Sequence, residues 1–391
     1  MNKRNLHVVI DGDFMTTHGV PSSNRSHYDI FASRYVPYFK HVFLYCRVQK
    51  KEDKNAMPVG GEGVTVISLP DVHGPIGLVK NIISILKVFL KASSDKNDRA
   101  LIRVPGIFPT IAWAVFSIRG FPYAVEAMAD AEAQFSKQAF QKRGRLIYKI
   151  IWVNAMKLQC RLAKASAYVT KKALQEKFPP GKGKFTCSFT TLDLPESFIS
   201  EKPKDADYFK KRPFKIVNVA MMQKHLKGQD IIIKAFAEFS KNKDVELVLV
   251  GDGDTRVEFE NLAADLCISD KVKFLGRKSA GIEIFSVLDE SHIFVLPSRQ
   301  EGLPRVVIEA MARGLPCIAS DLPGNFELLD NEFIVKDNSV EGWRIILERV
   351  WSDCDLLASL STNNIEKARY YSLPKVKIIR EKFYGYINES A

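Results

Sequence analysis

Pro297-Ser-Arg-Gln-Glu-Gly-Leu-Pro-Arg-Val-Val-Ile-Glu-Ala-Met-Ala-Arg-Gly-Leu-Pro316 stands between two apolar runs, His292-Ile-Phe-Val-Leu before it and Pro316-Cys-Ile-Ala-Ser at its end. Short β-branched runs bounded by Gly and Pro read as buried strands. The segment between them takes up a helical period after Pro304, a residue type suited to a first helical turn. Strand, Gly-containing loop, helix and strand make one step of a wound parallel α/β sheet.

Working outward, the same alternation fills the second half through Lys215-Ile-Val-Asn-Val-Ala, Glu246-Leu-Val-Leu-Val and Lys271-Val-Lys-Phe-Leu. The first half repeats it with Leu6-His-Val-Val-Ile, Val42-Phe-Leu-Tyr-Cys, Val64-Thr-Val-Ile-Ser, Ala100-Leu-Ile-Arg-Val, Tyr123-Ala-Val-Glu and Ala167-Tyr-Val-Thr. A polar segment with Pro195, Pro203 and Pro213 separates the halves. A chain of 391 residues can bury two cores. The expectation is an α/β protein with domains at 1–205 and 206–374, and an amphipathic C-terminal helix over 375–391 that could complete the first domain.

A helix opening near Pro304 leaves the backbone N–H groups of about residues 303 to 306 without intrahelical acceptors, at the positive end of the helix dipole, where a phosphate can bind. Glu301 lies just before that point. Glu309 falls in the second turn, and helical side chains lean back toward the N-terminus, so its carboxylate can reach a ribose diol beside a diphosphate. Two such glutamates are more commonly a loop acid and a surface-helix acid; the loop and helix start around them favour a site.

This segment resembles the Glu-x7-Glu motif of the retaining glycosyltransferases of family 4, among the glycosyl transferases group 1. Loop, spacing and the trailing Ala310-Met-Ala-x-Gly-x-Pro316 all agree. The resemblance implies the GT-B fold, two Rossmann-like domains facing each other across a cleft. It places Glu301 at the catalytic position facing the donor sugar, Leu303, Pro304, Arg305 and Val306 on sugar and phosphate, and Glu309 on ribose. Val219-Ala-Met-Met-Gln-Lys-His-Leu-Lys-Gly228 is similar to the family's strand followed by Lys-Gly, with Lys227 at the diphosphate, where the leaving group develops charge. Lys227 could equally be an exposed turn lysine. The family's arginine would fall at Met221 or Met222, leaving Lys224 or Arg305 to supply the charge. Leu275 and Arg277 would lie by the base, which stays open between UDP and GDP.

In the first half, His18-Gly-Val-Pro-Ser-Ser-Asn-Arg25 is similar in place to the family's glycine-rich loop, with Gly19 letting backbone approach the diphosphate and Arg25 toward the acceptor. Asp130 stands where relatives carry His or Asp near the transferred sugar, a second catalytic candidate. Its plainer use is a cap before Ala131-Glu-Ala-Gln. The implied reaction moves a sugar from a nucleotide-sugar donor to a saccharide or polyprenyl-diphosphate-linked acceptor with retention, without cofactor or metal. The seven histidines form no set at metal-ligand spacing. Three alternatives stay open: a sugar-nucleotide epimerase on the same scaffold, a retaining glycosidase using both glutamates, and a basic membrane- or nucleic-acid-binding module.

Charge is uneven. Residues 1–200 carry 29 Lys and Arg against 15 Asp and Glu, residues 201–391 carry 28 against 30, and residues 133–175 hold ten basic residues with no acid. That basic stretch interleaves with Leu146, Ile147, Ile150, Ile151 and Trp152, as an interfacial helix does. No base-stacking or groove-reading motif accompanies it, so an anionic membrane surface is the expected partner and nucleic acid is not. Pro75–Ala92 is broken by lysines and Ile107–Ile118 is too short to span a bilayer. The N-terminus reads as no secretory signal, and scattered cysteines suit a reducing compartment. The expectation is a cytoplasmic protein held peripherally at the inner face of the membrane, in surface or envelope polysaccharide assembly.

Overall fold

The computed structural model describes residues 3–23, 27–52, 56–72, 74–135 and 144–389. The chain forms two compact units, one of Met1–Glu132, Leu146–Phe189 and Lys377–Ala391, the other of Ala133–Arg145 and Thr190–Val376. Residues 190–205, expected to close the first domain, run with the second unit. Ser200 N–H donates to the Ala312 carbonyl at 2.8 Å, Lys204 N–H to Ser361 Oγ at 2.9 Å, and Arg313 to the Phe198 carbonyl at 2.8 Å. These bonds tie that polar segment down where its proline content suggested a free linker.

The first unit contains, in chain order, β1 (Leu6–Thr17), β2 (Val20–Ser23), α1 (Tyr28–Tyr35), β3 (Val42–Glu52), β4 (Met57–Pro58), β5 (Val64–Leu69), α2 (Gly74–Ala92), β6 (Arg99–Val104), α3 (Ile107–Ile118), β7 (Tyr123–Ala127), α4 (Arg145–Leu162), β8 (Ala165–Tyr168), α5 (Ala173–Lys177) and β9 (Phe185–Ser188). Its parallel strands lie in the order β5-β3-β1-β6-β7-β8-β9, with β2 and β4 added antiparallel beyond the far end of β1. The strands hold Val8, Val9, Leu44, Leu101, Ile102 and Val125 away from solvent. Near-continuous apolar runs of this kind are what a parallel sheet covered on both faces demands.

The second unit follows with α6 (Ala206–Phe209), β10 (Phe214–Val219), α7 (Gln229–Phe239), β11 (Val245–Val250), α8 (Arg256–Asp265), β12 (Val272–Gly276), α9 (Ile282–Asp289), β13 (Ile293–Leu296), α10 (Arg305–Ala312), β14 (Cys317–Ser320), β15 (Ile334–Val335), α11 (Val340–Trp351) and α12 (Cys354–Arg369). The sheet order is β12-β11-β10-β13-β14-β15, parallel throughout. Ile216, Leu247, Leu249, Ile293 and Val295 pack under Ile232, Phe236 and Phe239 of α7 and Trp343 and Leu347 of α11. Each such full burial contributes roughly 1.5–3 kcal/mol. Because the strands run one way, the loops after β10, β11, β12, β13 and β14 gather at one edge of the sheet, the ligand-facing edge of such folds.

The final helix, α13 (Leu373–Glu389), supplies its later turns to the first unit. Tyr384 is fully buried, packs against Tyr35 at a ring separation of 5.3 Å, and donates its hydroxyl to Glu126 at 2.8 Å. Arg103 grips the other oxygen of Glu126 at 2.6 Å. Burial opposes charge on Glu126, but Arg103, Arg34 and the Tyr384 hydroxyl outweigh it and hold the carboxyl below its usual range.

Candidate functional site

The quoted segment forms the expected step: β13, a loop, α10 and β14. Pro304 sits one place before the helix, as its N-cap, and no side chain caps that end. The loop after β10 meets it. Lys227 Nζ donates to Glu301 Oε1 at 2.6 Å, and Ser298 Oγ donates to the same oxygen at 2.7 Å. Glu301 Oε2 has no hydrogen bond among the described residues. Lys227 and Glu301 thus neutralise one another.

Glu309 behaves differently. Its carboxylate makes no hydrogen bond among the described residues, and burial pushes its pKa from the ordinary 4.5 up to about 7, with Arg305 one turn earlier opposing the shift. A mostly buried carboxylate without a protein partner, beside an uncapped helix start, is suited to accept paired hydroxyls. Leu303 and Pro304 are buried, Val306 is half-buried and Arg305 is exposed at the first helical position.

Glycines set the backbone approaches here. A Cβ on Gly228 would lie 1.9 Å from the Pro297 carbonyl oxygen, and one on Gly324 would lie 1.6 Å from that of Gly302. Only glycine lets the loops after β10 and β14 press onto the loop carrying Glu301. Arg299 forms a two-pronged pair with Asp230 of α7 at 2.8 and 2.7 Å, and its N–H donates to the Leu226 carbonyl at 2.8 Å. Asn338 donates to the Pro297 carbonyl at 3.2 Å. Sequence reasoning passed over these positioning residues. Arg299 lay inside the quoted segment, whereas nothing local marks Asp230 or Asn338, whose role comes from long-range packing.

Residues 200–367 match the family model for glycosyl transferases group 1. The second unit therefore carries a segment of the glycosyl transferases group 1 kind. Protein CapJ of Staphylococcus aureus is 26% identical over 361 residues, 90% of this chain and 87% of CapJ. A UDP-Gal:alpha-D-GlcNAc-diphosphoundecaprenol alpha-1,3-galactosyltransferase of Escherichia coli is 26% identical over 75% of this chain and 76% of its own. Among solved structures, sucrose-phosphate synthase from Thermosynechococcus elongatus superposes with a TM-score of 0.72 at 18% identity, each chain covered in full. Anabaena HepE in complex with UDP and glucose gives 0.67 at 17% identity, covering 99% of this chain and 100% of HepE. These likenesses establish the GT-B fold class.

In the second unit, Met222 is wholly buried and its backbone is bonded to Asp252 and Thr255, so it fills core where the family's arginine was expected. Lys224 and Arg305 are both exposed. Leu275 and Arg277 occupy the end of β12, at the same sheet edge as Lys227 and Glu301. Among the described residues no three His, Cys, Asp or Glu side chains converge as metal ligands.

First-unit candidates fare otherwise. Within the expected loop, residues 18–23 form a hairpin: β1 continues to Thr17, which pairs with Val20, so His18 and Gly19 are the two turn residues, with φ of 50° and 77°. Two central residues at positive φ are what a tight hairpin turn requires, and this accounts for Gly19 without a ligand. Arg25 lies outside the described residues. Asp130 accepts the Glu132 N–H at 2.8 Å and the Lys177 ammonium at 2.6 Å. Both its oxygens are engaged, and the capping use foreseen as its plainer reading is the one the structure displays.

Proposed function

We propose that this glycosyltransferase moves a sugar from a UDP- or GDP-sugar to a lipid-linked saccharide with retention of anomeric configuration, in polysaccharide assembly at the cytoplasmic face of a membrane. One observation carries the donor reading: Glu309, mostly buried and without a protein partner among the described residues, sits one helical turn inside an uncapped helix start whose preceding loop holds Glu301, itself bonded to Lys227 of the loop after β10. From Glu301 to Glu309 the chain would meet sugar hydroxyls, diphosphate and ribose in that order. Glu309 takes the ribose, the α10 amides and Lys227 take the phosphates, and Glu301 Oε2 takes the sugar.

With Met222 in the core, Arg305 is the cation that replaces the missing arginine, because it stands at the first helical position and already acts on Glu309. Fixed positive groups at the departing diphosphate do the electrostatic work of catalysis, so no metal is required. The lipid-linked acceptor draws support from the Escherichia coli relative, whose name specifies a diphosphoundecaprenol acceptor. The membrane setting is supported by the basic, acid-free helix α4. No helix among the described residues is long and apolar enough to cross a membrane.

The test is isothermal titration of UDP, GDP, UDP-glucose and GDP-mannose into the chain and into Glu309→Ala and Lys227→Ala. One nucleotide class should bind, about tenfold or more weakly to each variant. Unchanged affinity in both variants would remove the donor assignment.

A further inference from the structure

Among the thirteen helices of the described residues, ten carry at least one Asp or Glu; α2, α3 and α4 carry none. These three are neighbours. The steps β5 to β6, β6 to β7 and β7 to β8 all move the same way along the sheet order. Right-handed crossovers therefore put α2, α3 and α4 on one face. Phe89 of α2 stacks edge-on against Phe116 of α3, and Gln159 of α4 donates to Thr110 of α3 at 3.0 Å. Helix α1 joins β1 to β3 in the opposite sense and so covers the other face, together with α13.

The outer stripes of α2 and α4 are inverted relative to an ordinary surface helix, which turns its polar side to water. Ile76, Val79 and Ile83 on α2 and Ile147, Ile150 and Ile151 on α4 are 56–73% exposed, while α4 buries Gln159. Patches of protruding apolar side chains on this scale mark interaction surfaces. Both helices follow the C-terminal edge of the sheet, so their N-terminal turns, which carry Ile76 and Val79 on α2 and Ile147, Ile150 and Ile151 on α4, lie toward that edge. Basic residues are interspersed with them and continue beyond: Lys80, Lys87 and Lys91 on α2 and Lys157 and Arg161 on α4 form no ion pair among the described residues, while Lys149 of α4 pairs with Glu132. A recess of about 530 Å³ opens beside Lys157 and Arg161.

We infer that α2 and α4 together form a docking face for an anionic lipid bilayer, their protruding aliphatic side chains entering the interface and the lysines and arginine beside them meeting lipid phosphates. This rests on the reading of a membrane-bound acceptor and adds to it a second helix and an orientation. Protruding aliphatic groups ringed by unpaired cations complement a surface that is apolar beneath and negative above. A second copy of the chain fits poorly, since it would set the same cations against each other. The orientation turns the C-terminal edge of the first unit's sheet, where the acceptor side of the site is expected, toward the membrane.

Flotation of the full chain with vesicles of phosphatidylcholine alone, or with roughly a third phosphatidylglycerol, tests this. The chain should float with the anionic vesicles only and be released by salt, each cation contributing up to roughly fivefold. Val79→Asp/Ile83→Asp and Ile147→Asp/Ile150→Asp should each lower the vesicle-bound fraction by about tenfold or more, two buried aliphatic groups being lost in each. Nucleotide binding should be unchanged in both, since both pairs belong to the first unit and the donor loops to the second. The inference is overturned if the unaltered chain stays with buffer, if either double variant floats as the parent does, or if sedimentation shows a dimer that the α4 pair dissolves. Lost flotation with intact nucleotide affinity leaves the donor assignment standing; the reverse result removes that assignment and leaves the docking face.

Discussion

Two loops that follow a first strand, one in each unit, show how differently the same architecture can be used. After β10 the chain turns under compulsion: Gly228 presses on Pro297, Gly251 on Ala220 and Gly253 on Met222, each at a distance no Cβ would permit. After the core of β1 the chain simply continues as a hairpin, and Gly19 at its tip has nothing within 4 Å. Crowded backbone at the strand ends of the second unit fixes donor groups to within the tolerance that catalysis needs. The first unit spends its sequence elsewhere, on an outer face stripped of acids.

The sharpest way to break this contrast is Lys227→Ala. If the second unit holds the charge-stabilising groups, turnover should fall by about 100- to 1000-fold with the fold intact, the loss typical of one electrostatic contact to a transition state. Steady-state kinetics with the nucleotide-sugar found by titration checks it.

Glu309 offers a test with a definite sign. Burial raises its folded-state pKa from 4.5 to about 7, so the folded chain holds this proton more tightly than the unfolded chain does. Its contribution to stability therefore falls as pH rises from about 4.5 to 7, and the whole cost, on the order of 3 kcal/mol, is present above pH 7. Glu309→Gln should raise the melting temperature at pH 8 and change it little at pH 4, while nucleotide affinity drops. In the parent protein, nucleotide affinity should improve from pH 6 to pH 8 as the carboxylate ionises.

The two glycines can be compared directly. Gly228→Ala should cost at least about 2–3 kcal/mol in a urea melt, since backbone meets backbone; Gly19→Ala should cost about 1 kcal/mol, the price of positive φ alone. Equal losses would erase the distinction between a crowded loop and a free turn. Smallest of all, Asp130→Asn should weaken the Lys177 pair, cost ~1 kcal/mol or less in stability, and leave turnover within about twofold. A hundredfold loss of turnover would return Asp130 to the catalytic set.

The second unit was legible because its constraints are local. A strand, a glycine that must be glycine, and a helix start lie consecutively in the chain, so Glu301, Lys227 and Glu309 can be placed from spacing. Strands at Phe214–Val219, Val245–Val250 and Ile293–Leu296 fall within a residue or so of their apolar runs. The first unit hid more. β1 runs on to Thr17 through Asp11-Gly-Asp13, polar residues that signal a strand end but are held in the ladder by β3 on one side. Asp130 looked like a site residue because strand-end position is shared by catalysts and caps; only the Lys177 contact, 47 residues away, separates the two. The outward apolar stripe of α2 could not be told from a core stripe, since periodicity reports that a helix has two faces and not which one is covered.

The buried meeting of Tyr384 with Glu126 also orders the protein's birth. The two residues are 258 positions apart, roughly ten seconds to a minute of ribosome time at about 5–20 residues per second. Through that interval the strand carrying Glu126 exists without the helix that completes its surroundings, whereas the second unit has received nearly all its chain. Vectorial synthesis thus lets the second unit mature before α13 arrives to close the first.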